Sequence, residues 1–279
     1  MTAPALNLPD GRAVGVASFG APEGRPVFAF HGMPGSRLMF STINEAAAQH
    51  GVRIIALDRP GYGRTAPHPG ATSGDHARDV AKVADLLGIE RFAVLGVSGG
   101  SPYALACAAV LGARVTAVGL VSAMGPLRAR RSLVGMATPN ALIYRLARVS
   151  PSLVGAILPR LLRRSLSSLE RHVAAGTSPT EAIPAAFFAI VVRDQREAIR
   201  QGGAGVTFDA MNLWRPWGFR LADLRVPVHL WHGEDDELAP TALARRMAAA
   251  IPGCVSTFYP GEGHAEPLVR HADEIMSAF

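Results

Sequence analysis

Residues 91–109, RFAVLGVSGGSPYALACAA, begin as an apolar β-type run and end as an alanine-rich run typical of a helix. Between the two runs lies GVSGG at 96–100, a Gly-x-Ser-x-Gly pattern. At a strand–helix junction this pattern indicates a nucleophile elbow, a strained turn that holds the hydroxyl of Ser98 clear of the chain. Gly96 and Gly100 are then needed because the two backbones come too close for a Cβ. The alternative interpretation is a flexible turn with an ordinary loop serine.

The composition is that of a folded protein with a large core. The chain has 279 residues, 49% of them hydrophobic, with a mean hydropathy of +0.20. The net charge is +6, and Lys82 is the only lysine among 28 basic residues. Because the arginines are scattered and form no basic stripe interleaved with aromatic residues, we expect no nucleic-acid partner.

Targeting and redox features point to a reduced compartment. The stretch MTAPALNLPDGR at 1–12 lacks a basic segment followed by an apolar run, so it does not predict a signal peptide. The most apolar stretch, 182–192, is too short to span a bilayer. Cys107 and Cys254 are expected to be buried, reduced thiols. We therefore expect a cytoplasmic monomer or homodimer without stable membrane insertion.

Short β-type runs alternate with helical patterns along most of the chain, which predicts a mostly parallel sheet covered by helices. The alternation stops at 126–221, where Pro/Gly-punctuated apolar and arginine-rich segments indicate helices only. We interpret 126–221 as a helical cap over the carboxyl edge of the sheet. The core domain would then comprise 1–125 and 222–279.

A nucleophilic serine needs a base and an acid that orients the base. In a sheet of this type the chain order is serine, acid, histidine. His264 follows the last predicted strand, within the Gly-rich stretch YPGEGHAEP. The stretch LWHGEDDELAP follows the preceding strand and offers four carboxylates: Glu234, Asp235, Asp236 and Glu237. The order alone does not choose among these four, and some of them are expected to be solvated or to cap the next helix.

Five motifs in order resemble the α/β-hydrolase fold superfamily, in its cap-bearing form with an HG-x-P oxyanion loop. They are HGMPGS at 31–36, LDRPGYGRT at 57–65, GVSGG at 96–100, HGEDDELAP at 232–240 and GEGH at 261–264. The resemblance implies an α/β fold with a mostly parallel, eight-stranded sheet flanked by helices. It also implies that the helical cap is inserted after the sixth strand.

The same resemblance implies roles for individual residues. In a Gly-x-x-Asp-x-x-x-Pro loop running from Gly233 to Pro240, the triad acid is Asp236, with Asp235 as the alternative. The backbone N–H groups of Met33 and Gly99 are the expected oxyanion donors. Gly99 follows the nucleophile at a helix N-terminus, where the helix dipole favours negative charge.

A serine at the elbow, in place of the aspartate that similar folds use for alkyl-ester chemistry, implies an acyl-enzyme. We expect a serine hydrolase that cleaves a carboxylic ester of a small, apolar substrate without a cofactor or metal. A thioesterase, C–C bond hydrolase, perhydrolase or acyltransferase would use the same triad. An aminopeptidase is disfavoured because the 126–221 segment has few acidic residues. A non-catalytic ligand receptor on the same fold is the remaining alternative.

Two sets of residues in the 126–221 segment are candidates for substrate contacts. The apolar set, whose alternative role is core packing, is Leu133, Met136, Leu142, Ile143, Phe187, Phe188, Trp214 and Trp217. The basic set, whose alternative role is a solvated face, is Arg128, Arg130, Arg131, Arg163 and Arg164.

Overall fold

A seven-stranded sheet forms the centre of the molecule in the computed structural model, which describes residues 5–128, 132–177 and 185–279. Its strands are β3 (Val16–Gly20), β4 (Arg25–Phe30), β5 (Val52–Leu57), β6 (Phe92–Val97), β7 (Val115–Val121), β8 (Val228–Gly233) and β9 (Val255–Tyr259). Their spatial order is β3-β5-β4-β6-β7-β8-β9. Only β3 is antiparallel to its neighbour, so the predicted mostly parallel sheet is confirmed.

The predicted count of eight strands is wrong for the described residues. The strands β1 (Leu6–Asn7) and β2 (Ala13–Val14) pair with each other in a separate antiparallel ribbon. The turn between them is closed by hydrogen bonds from the Leu8 N–H to the Arg12 carbonyl and from the Gly11 N–H to the Leu8 carbonyl. The long insertion accordingly follows β7, which is the fifth strand of the main sheet and not the sixth.

Helices cover both faces of the sheet because the strands are apolar on both sides. In β4, Phe28 and Phe30 belong to one buried cluster, whereas Val27 and Ala29 belong to the cluster on the other face. The covering helices are α1 (Asn44–Gln49), α2 (Ser73–Leu86), α3 (Ser101–Leu111), α8 (Thr241–Ala250), α9 (Glu266–Arg270) and α10 (Ala272–Ser277). The first cluster takes residues from α2, α3 and α8, and the second takes residues from α1, α9 and α10.

Between β7 and β8 the described residues form four α-helices, and we call them the helical insertion. They are α4 (Thr138–Val149), α5 (Pro151–Ala174), α6 (Ala185–Ala198) and α7 (Ala204–Trp214). The long α5 packs against α4, α6 and α7, and α6 packs on the turn at Arg37–Ile43. Within the described part of this segment no strand is formed, as its sequence predicts.

Both cysteines are free thiols, with Cys107 buried in α3 and Cys254 partly buried. None of the helices formed by the described residues is long and apolar enough to cross a bilayer.

Candidate active site

The turn between β6 and α3 holds Ser98 in a left-handed backbone conformation, with φ at +52°. Such a conformation is unfavourable for a residue with a Cβ and costs on the order of 1–3 kcal/mol. A Cβ on Gly96 would lie 2.8 Å from the Gly100 carbonyl oxygen, and a Cβ on Gly100 would lie 2.1 Å from that of Phe30. The two glycines therefore serve close backbone approach, which holds the turn tightly against β4.

His264 and Asp236 are brought together by two loops at the carboxyl ends of β8 and β9. The His264 imidazole Nδ1 lies 2.7 Å from the Asp236 Oδ2 atom. The loops touch closely, since a Cβ on Gly233 would lie 2.2 Å from the Gly263 carbonyl oxygen. Asp235 lies beside this pair in sequence, but its side chain is exposed. Of the two candidate acids, Asp236 is the one in contact with the imidazole.

The Asp236 carboxylate is almost fully buried, and its contacts favour the ionised form. Its Oδ1 atom accepts hydrogen bonds of 2.8 Å from both the Leu238 and Ala239 N–H groups. Burial raises the pKa of Asp236, but the hydrogen bonds and the charge of His264 outweigh burial and hold the pKa below its ordinary value. An ionised carboxylate on Nδ1 fixes the imidazole with its proton on that nitrogen, which leaves Nε2 free to accept a proton.

The loop after β4 brings Met33 next to the elbow. A Cβ on Gly99 would lie 3.3 Å from the Met33 nitrogen, and a Cβ on Gly32 would lie 3.4 Å from the Ser98 Cβ. Within the described part of the chain, the Met33 N–H donates to no protein acceptor. Met33 thus lies against Gly99, the residue that follows Ser98.

His31 supports this loop as a neutral imidazole. It is fully buried, and its Nε2 atom accepts a hydrogen bond of 3.1 Å from the Arg59 N–H, so Nδ1 carries the proton and donates to the Gly32 carbonyl at 2.8 Å. Burial, together with the charge of Arg59, holds the pKa of His31 well below its ordinary value. Both ring nitrogens of His31 are therefore used for structure.

A buried ionic cluster joins this loop to α7 of the helical insertion. The Arg59 guanidinium donates to the Gly32 carbonyl at 2.8 Å and forms an ion pair with Asp209. Asp209 also accepts hydrogen bonds from the Tyr62 hydroxyl at 2.7 Å and the Tyr103 hydroxyl at 2.5 Å. Because all four side chains are buried, removing one charge would leave the other uncompensated.

A second polar contact joins α6 to the turn after β4. The buried Asp194 carboxylate accepts hydrogen bonds from the Ser36 hydroxyl at 2.6 Å, the Ser36 N–H at 2.8 Å and the Met39 N–H at 3.1 Å. One turn further along α6, Glu197 forms an ion pair of 2.8 Å with Arg37. Burial, only partly offset by Ser36, raises the pKa of Asp194 to about 7.

Ser122, at the end of β7, holds the backbone of the histidine loop. Its hydroxyl donates to the His264 carbonyl at 2.7 Å, and its own φ is +48°. The local sequence SAMGPL at 122–127 does not predict this contact, because the hydrogen bond joins residues 142 positions apart.

An apolar cavity of about 470 Å³ opens next to the elbow. Ser98 and His264 both line it, together with Met33 and Pro34. One wall comes from α5, with Leu162, Leu166 and Leu169. The opposite wall comes from α6, with Phe187, Phe188, Ile190 and Val191. Among the described lining residues, Asp194 is the only carboxylate.

Most of the residues at 126–221 that the sequence offers as substrate contacts lie away from the cavity. Of the apolar set, Phe187 and Phe188 line the cavity and Leu142 is exposed. The remaining five pack in the buried clusters: Leu133, Met136, Ile143, Trp214 and Trp217. In the basic set, the exposed Arg128, Arg163 and Arg164 do not line the cavity, and Arg130 and Arg131 lie outside the described residues. Across the described ranges, no group of three His, Cys, Asp or Glu side chains is arranged to hold a metal ion.

The family model for the alpha/beta hydrolase fold matches residues 25–266. The chain belongs to the α/β-hydrolase fold family. A bifunctional esterase/perhydrolase from Acinetobacter calcoaceticus is 27% identical over 268 residues, which cover 94% of this chain and 92% of the relative. A probable proline iminopeptidase from Streptomyces coelicolor is 32% identical over 247 residues, which cover 81% of this chain and 69% of the relative.

Solved structures show the same fold across the whole chain. The esterase RhEst1 from Rhodococcus sp. ECU1013 matches with a TM-score of 0.71 at 23% identity, covering 100% of this chain and 98% of that chain. The relatives of this α/β hydrolase also include a non-heme haloperoxidase from Rhodococcus erythropolis. The comparisons therefore support a hydrolase but do not identify the type of bond that it cleaves.

Sequence reasoning missed the ionic contacts around the cavity. Arg59 lies within the quoted motif LDRPGYGRT, but its partner Asp209 is 150 residues away in the insertion. Asp194 lies in α6, and its contact with Ser36 spans 158 residues. The one signal in the sequence is that Asp209 is the only charged residue of α7.

Replacing Asp209 by Asn is expected to lower the free energy of unfolding by about 3–5 kcal/mol, because it leaves the Arg59 guanidinium buried without a counter-charge. Urea unfolding followed by circular dichroism measures the change. Asp273→Asn is the control, since that carboxylate is 71% exposed and its contact with His50 is on the surface. A loss no larger than that of the control would contradict the role assigned to the ion pair.

Replacing Asp194 by Asn should flatten the pH dependence of stability. The folded-state pKa of about 7 lies above the ordinary aspartate pKa of 3.8, so the proton on Asp194 stabilises the fold below about pH 4. This contribution is lost as the pH rises through 7, and it amounts to roughly 4 kcal/mol at about 1.4 kcal/mol per pKa unit. The amide oxygen of the Asn side chain can still accept the hydrogen bond from Ser36, and the side chain carries no charge to be buried.

In urea unfolding at pH 4, 6 and 8, the free energy of unfolding of Asp194→Asn is therefore expected to rise relative to that of the wild type as the pH increases. The exposed Asp223→Asn serves as the control and should follow the wild type. Parallel profiles for Asp194→Asn and the wild type would show that this carboxylate is ionised at all three pH values.

Proposed function

We propose that the protein is a serine hydrolase that cleaves the carboxylic ester of a small, apolar substrate through an acyl-enzyme. The observation that carries this proposal is a convergence at one cavity. Ser98, on its left-handed turn, and His264, paired with the buried Asp236, line the same apolar space. Nucleophile, base and orienting acid are the three groups that acyl transfer requires.

In the proposed first step, the His264 Nε2 atom takes the Ser98 hydroxyl proton as the oxygen attacks the ester carbonyl carbon. The imidazolium that forms is stabilised by the ionised Asp236 on Nδ1, and it then passes its proton to the departing alcohol. Water, deprotonated by the same nitrogen, attacks the acyl-enzyme and releases the acid. The serine oxygen regains its proton at the end of the cycle.

We assign the stabilisation of the negative charge that develops on the carbonyl oxygen to the N–H groups of Met33 and Gly99. These groups lie next to Ser98, and the Met33 N–H has no protein acceptor within the described ranges. A preorganised donor of this kind contributes about 3–4 kcal/mol to transition-state stabilisation. The Arg59 guanidinium on the Gly32 carbonyl keeps the loop that carries Met33 in place.

The cavity favours an apolar ester over a substrate with a free amine. Leucines of α5 and aromatic and branched residues of α6 form its walls. Recognition of an amine, as a proline iminopeptidase requires, calls for available carboxylates. Among the described lining residues, Asp194 is the only one, and its Oδ1 atom already accepts hydrogen bonds from Ser36 and Met39.

Ser98→Ala is expected to reduce kcat/KM on p-nitrophenyl esters by at least ~10³-fold, because the variant lacks the attacking oxygen. Esters with acyl chains from two to twelve carbons should be compared, and the apolar cavity predicts a preference above acetate. Ser165→Ala is a matched control, since Ser165 lines the same cavity away from the elbow. Residual activity in Ser98→Ala equal to that of the control would refute the mechanism.

A fluorophosphonate probe separates an enzyme from a non-catalytic receptor. Labelling is expected at Ser98 in the wild type and should be lost in His264→Ala. Binding of apolar esters with neither turnover nor labelling would favour the receptor.

Asp236→Asn is expected to lower kcat by about 10⁴-fold, because an amide no longer selects the imidazole tautomer with a free Nε2. Asp235→Asn is the matched variant, with the same chemical change one residue away at an exposed position. Initial rates on the best ester measure both. A larger loss in Asp235→Asn would reverse the choice of acid.

Perhydrolysis is a second candidate, favoured by the near full-length similarity to a bifunctional esterase/perhydrolase. Hydrogen peroxide would replace water in the attack on the acyl-enzyme, and a peracid would leave in place of the acid. Peracid formation from an ester in the presence of hydrogen peroxide distinguishes the two, and Ser98→Ala should abolish both activities.

A further inference from the structure

Exposed apolar side chains are concentrated on two helices of the insertion. Ten large apolar residues of the described chain are exposed, and five of them lie on α4 and α5. These five are Leu142, Val149, Leu153, Ile157 and Leu161. The remaining five are distributed over the rest of the molecule. Single exposed apolar residues need no explanation, but a cluster on neighbouring helices indicates an interaction surface.

On α5 the exposed residues form a stripe with helical spacing. Leu153, Ile157 and Leu161 follow one another every four residues, and they are 45%, 40% and 46% exposed. The opposite face of α5 provides Leu162 and Leu166 to the cavity wall. The helix is thus apolar on two faces, and the residues that the structure describes cover the inner one.

The charge around this stripe is of one sign. Helices α4 and α5 carry a single carboxylate, Glu170, which pairs with Arg196 of α6. The same two helices carry six arginines, all exposed: Arg145, Arg148, Arg160, Arg163, Arg164 and Arg171. Among the residues that the structure describes, no carboxylate forms an ion pair with any of these six guanidinium groups.

We propose that the outer face of α4 and α5 docks on an anionic lipid surface. Amphipathic helices with exposed leucine and isoleucine beside arginine have the chemistry of peripheral binding at a membrane interface. The apolar stripe would enter the boundary between headgroups and acyl chains, and the arginines would contact the phosphates. This mode needs no transmembrane helix.

Charge complementarity favours lipid over a second copy of the chain. In a two-fold dimer through this face, the six arginines of one protomer would meet the same six of the other, with one carboxylate on each side. An anionic bilayer supplies the missing negative charge. Docking would also place α5, which lines the cavity with its other face, at the interface where apolar esters partition.

The test is sedimentation of the full-length protein with sucrose-loaded vesicles. Wild type is expected to bind vesicles containing phosphatidylglycerol at least tenfold more tightly than pure phosphatidylcholine, since each arginine near an anionic surface contributes roughly fivefold. Arg160→Gln with Arg164→Gln should then weaken binding about 25-fold. Raising the salt from 0.05 to 0.5 M should weaken wild-type binding strongly through screening.

Variants of the apolar stripe test the second half of the proposal. The triple change Leu153→Gln, Ile157→Gln and Leu161→Gln should also reduce binding at least tenfold, because less apolar surface enters the lipid. Leu86→Gln with Val255→Gln is the matched control, since both residues are exposed elsewhere and should not affect binding. Circular dichroism verifies that all variants fold.

Equal binding to both vesicle types, or equal losses in the stripe and control variants, would overturn the proposal. A wild-type dimer that binds no vesicles and that the triple variant converts to a monomer would show that a second copy covers this face. These readouts measure binding alone, so they do not depend on whether the protein hydrolyses an ester.

Discussion

The ion pair between Arg59 and Asp209 is the contact on which the arrangement of the cavity depends. A buried guanidinium is tolerated only when its charge is paired and its hydrogen-bond donors are used. Here Asp209 supplies the charge, and the Gly32 carbonyl takes a further donor. The same side chain therefore positions the loop that carries Met33 and attaches α7 to the sheet. The geometry beside Ser98 and the attachment of α7 thus share one interaction.

A second attachment on the other side of the cavity gives the insertion two anchors. The Asp194 carboxylate accepts three hydrogen bonds from the turn at Ser36–Met39, and Glu197 pairs with Arg37 one turn later. Moving α7 away from the sheet would leave the buried Arg59 guanidinium without its counter-charge, and moving α6 away would break the hydrogen bonds of the buried Asp194. The outer face of α5 has no such contact, and its exposed apolar and basic side chains are available to a partner.

Much of the site was predictable because its parts are local. The strand–turn–helix pattern around Ser98 requires glycine where backbones approach within van der Waals distance, and that requirement is visible in five residues. The resemblance of the loop from Gly233 to Pro240 to the family's acid loop pointed to Asp236, which is the carboxylate that contacts His264. The cavity walls were less predictable, since an apolar helix residue packs equally well in a core. Of eight apolar candidates only Phe187 and Phe188 reach the cavity.

By itself, the sequence determined the alternating strands and helices, the elbow at Ser98, the loops that carry Asp236 and His264, and the helical nature of the insertion. The elements and the elbow follow from backbone geometry and hydrophobic periodicity over a few residues. The two loops follow from the chain order of serine, acid and histidine together with the family resemblance. Only the tertiary structure decided that the main sheet has seven strands, that Arg59 pairs with Asp209, and which face of α5 meets the cavity. The Arg59–Asp209 pair, for example, joins residues 150 positions apart. Their partners are chosen by packing and by the cost of burying a charge, and neither leaves a local pattern.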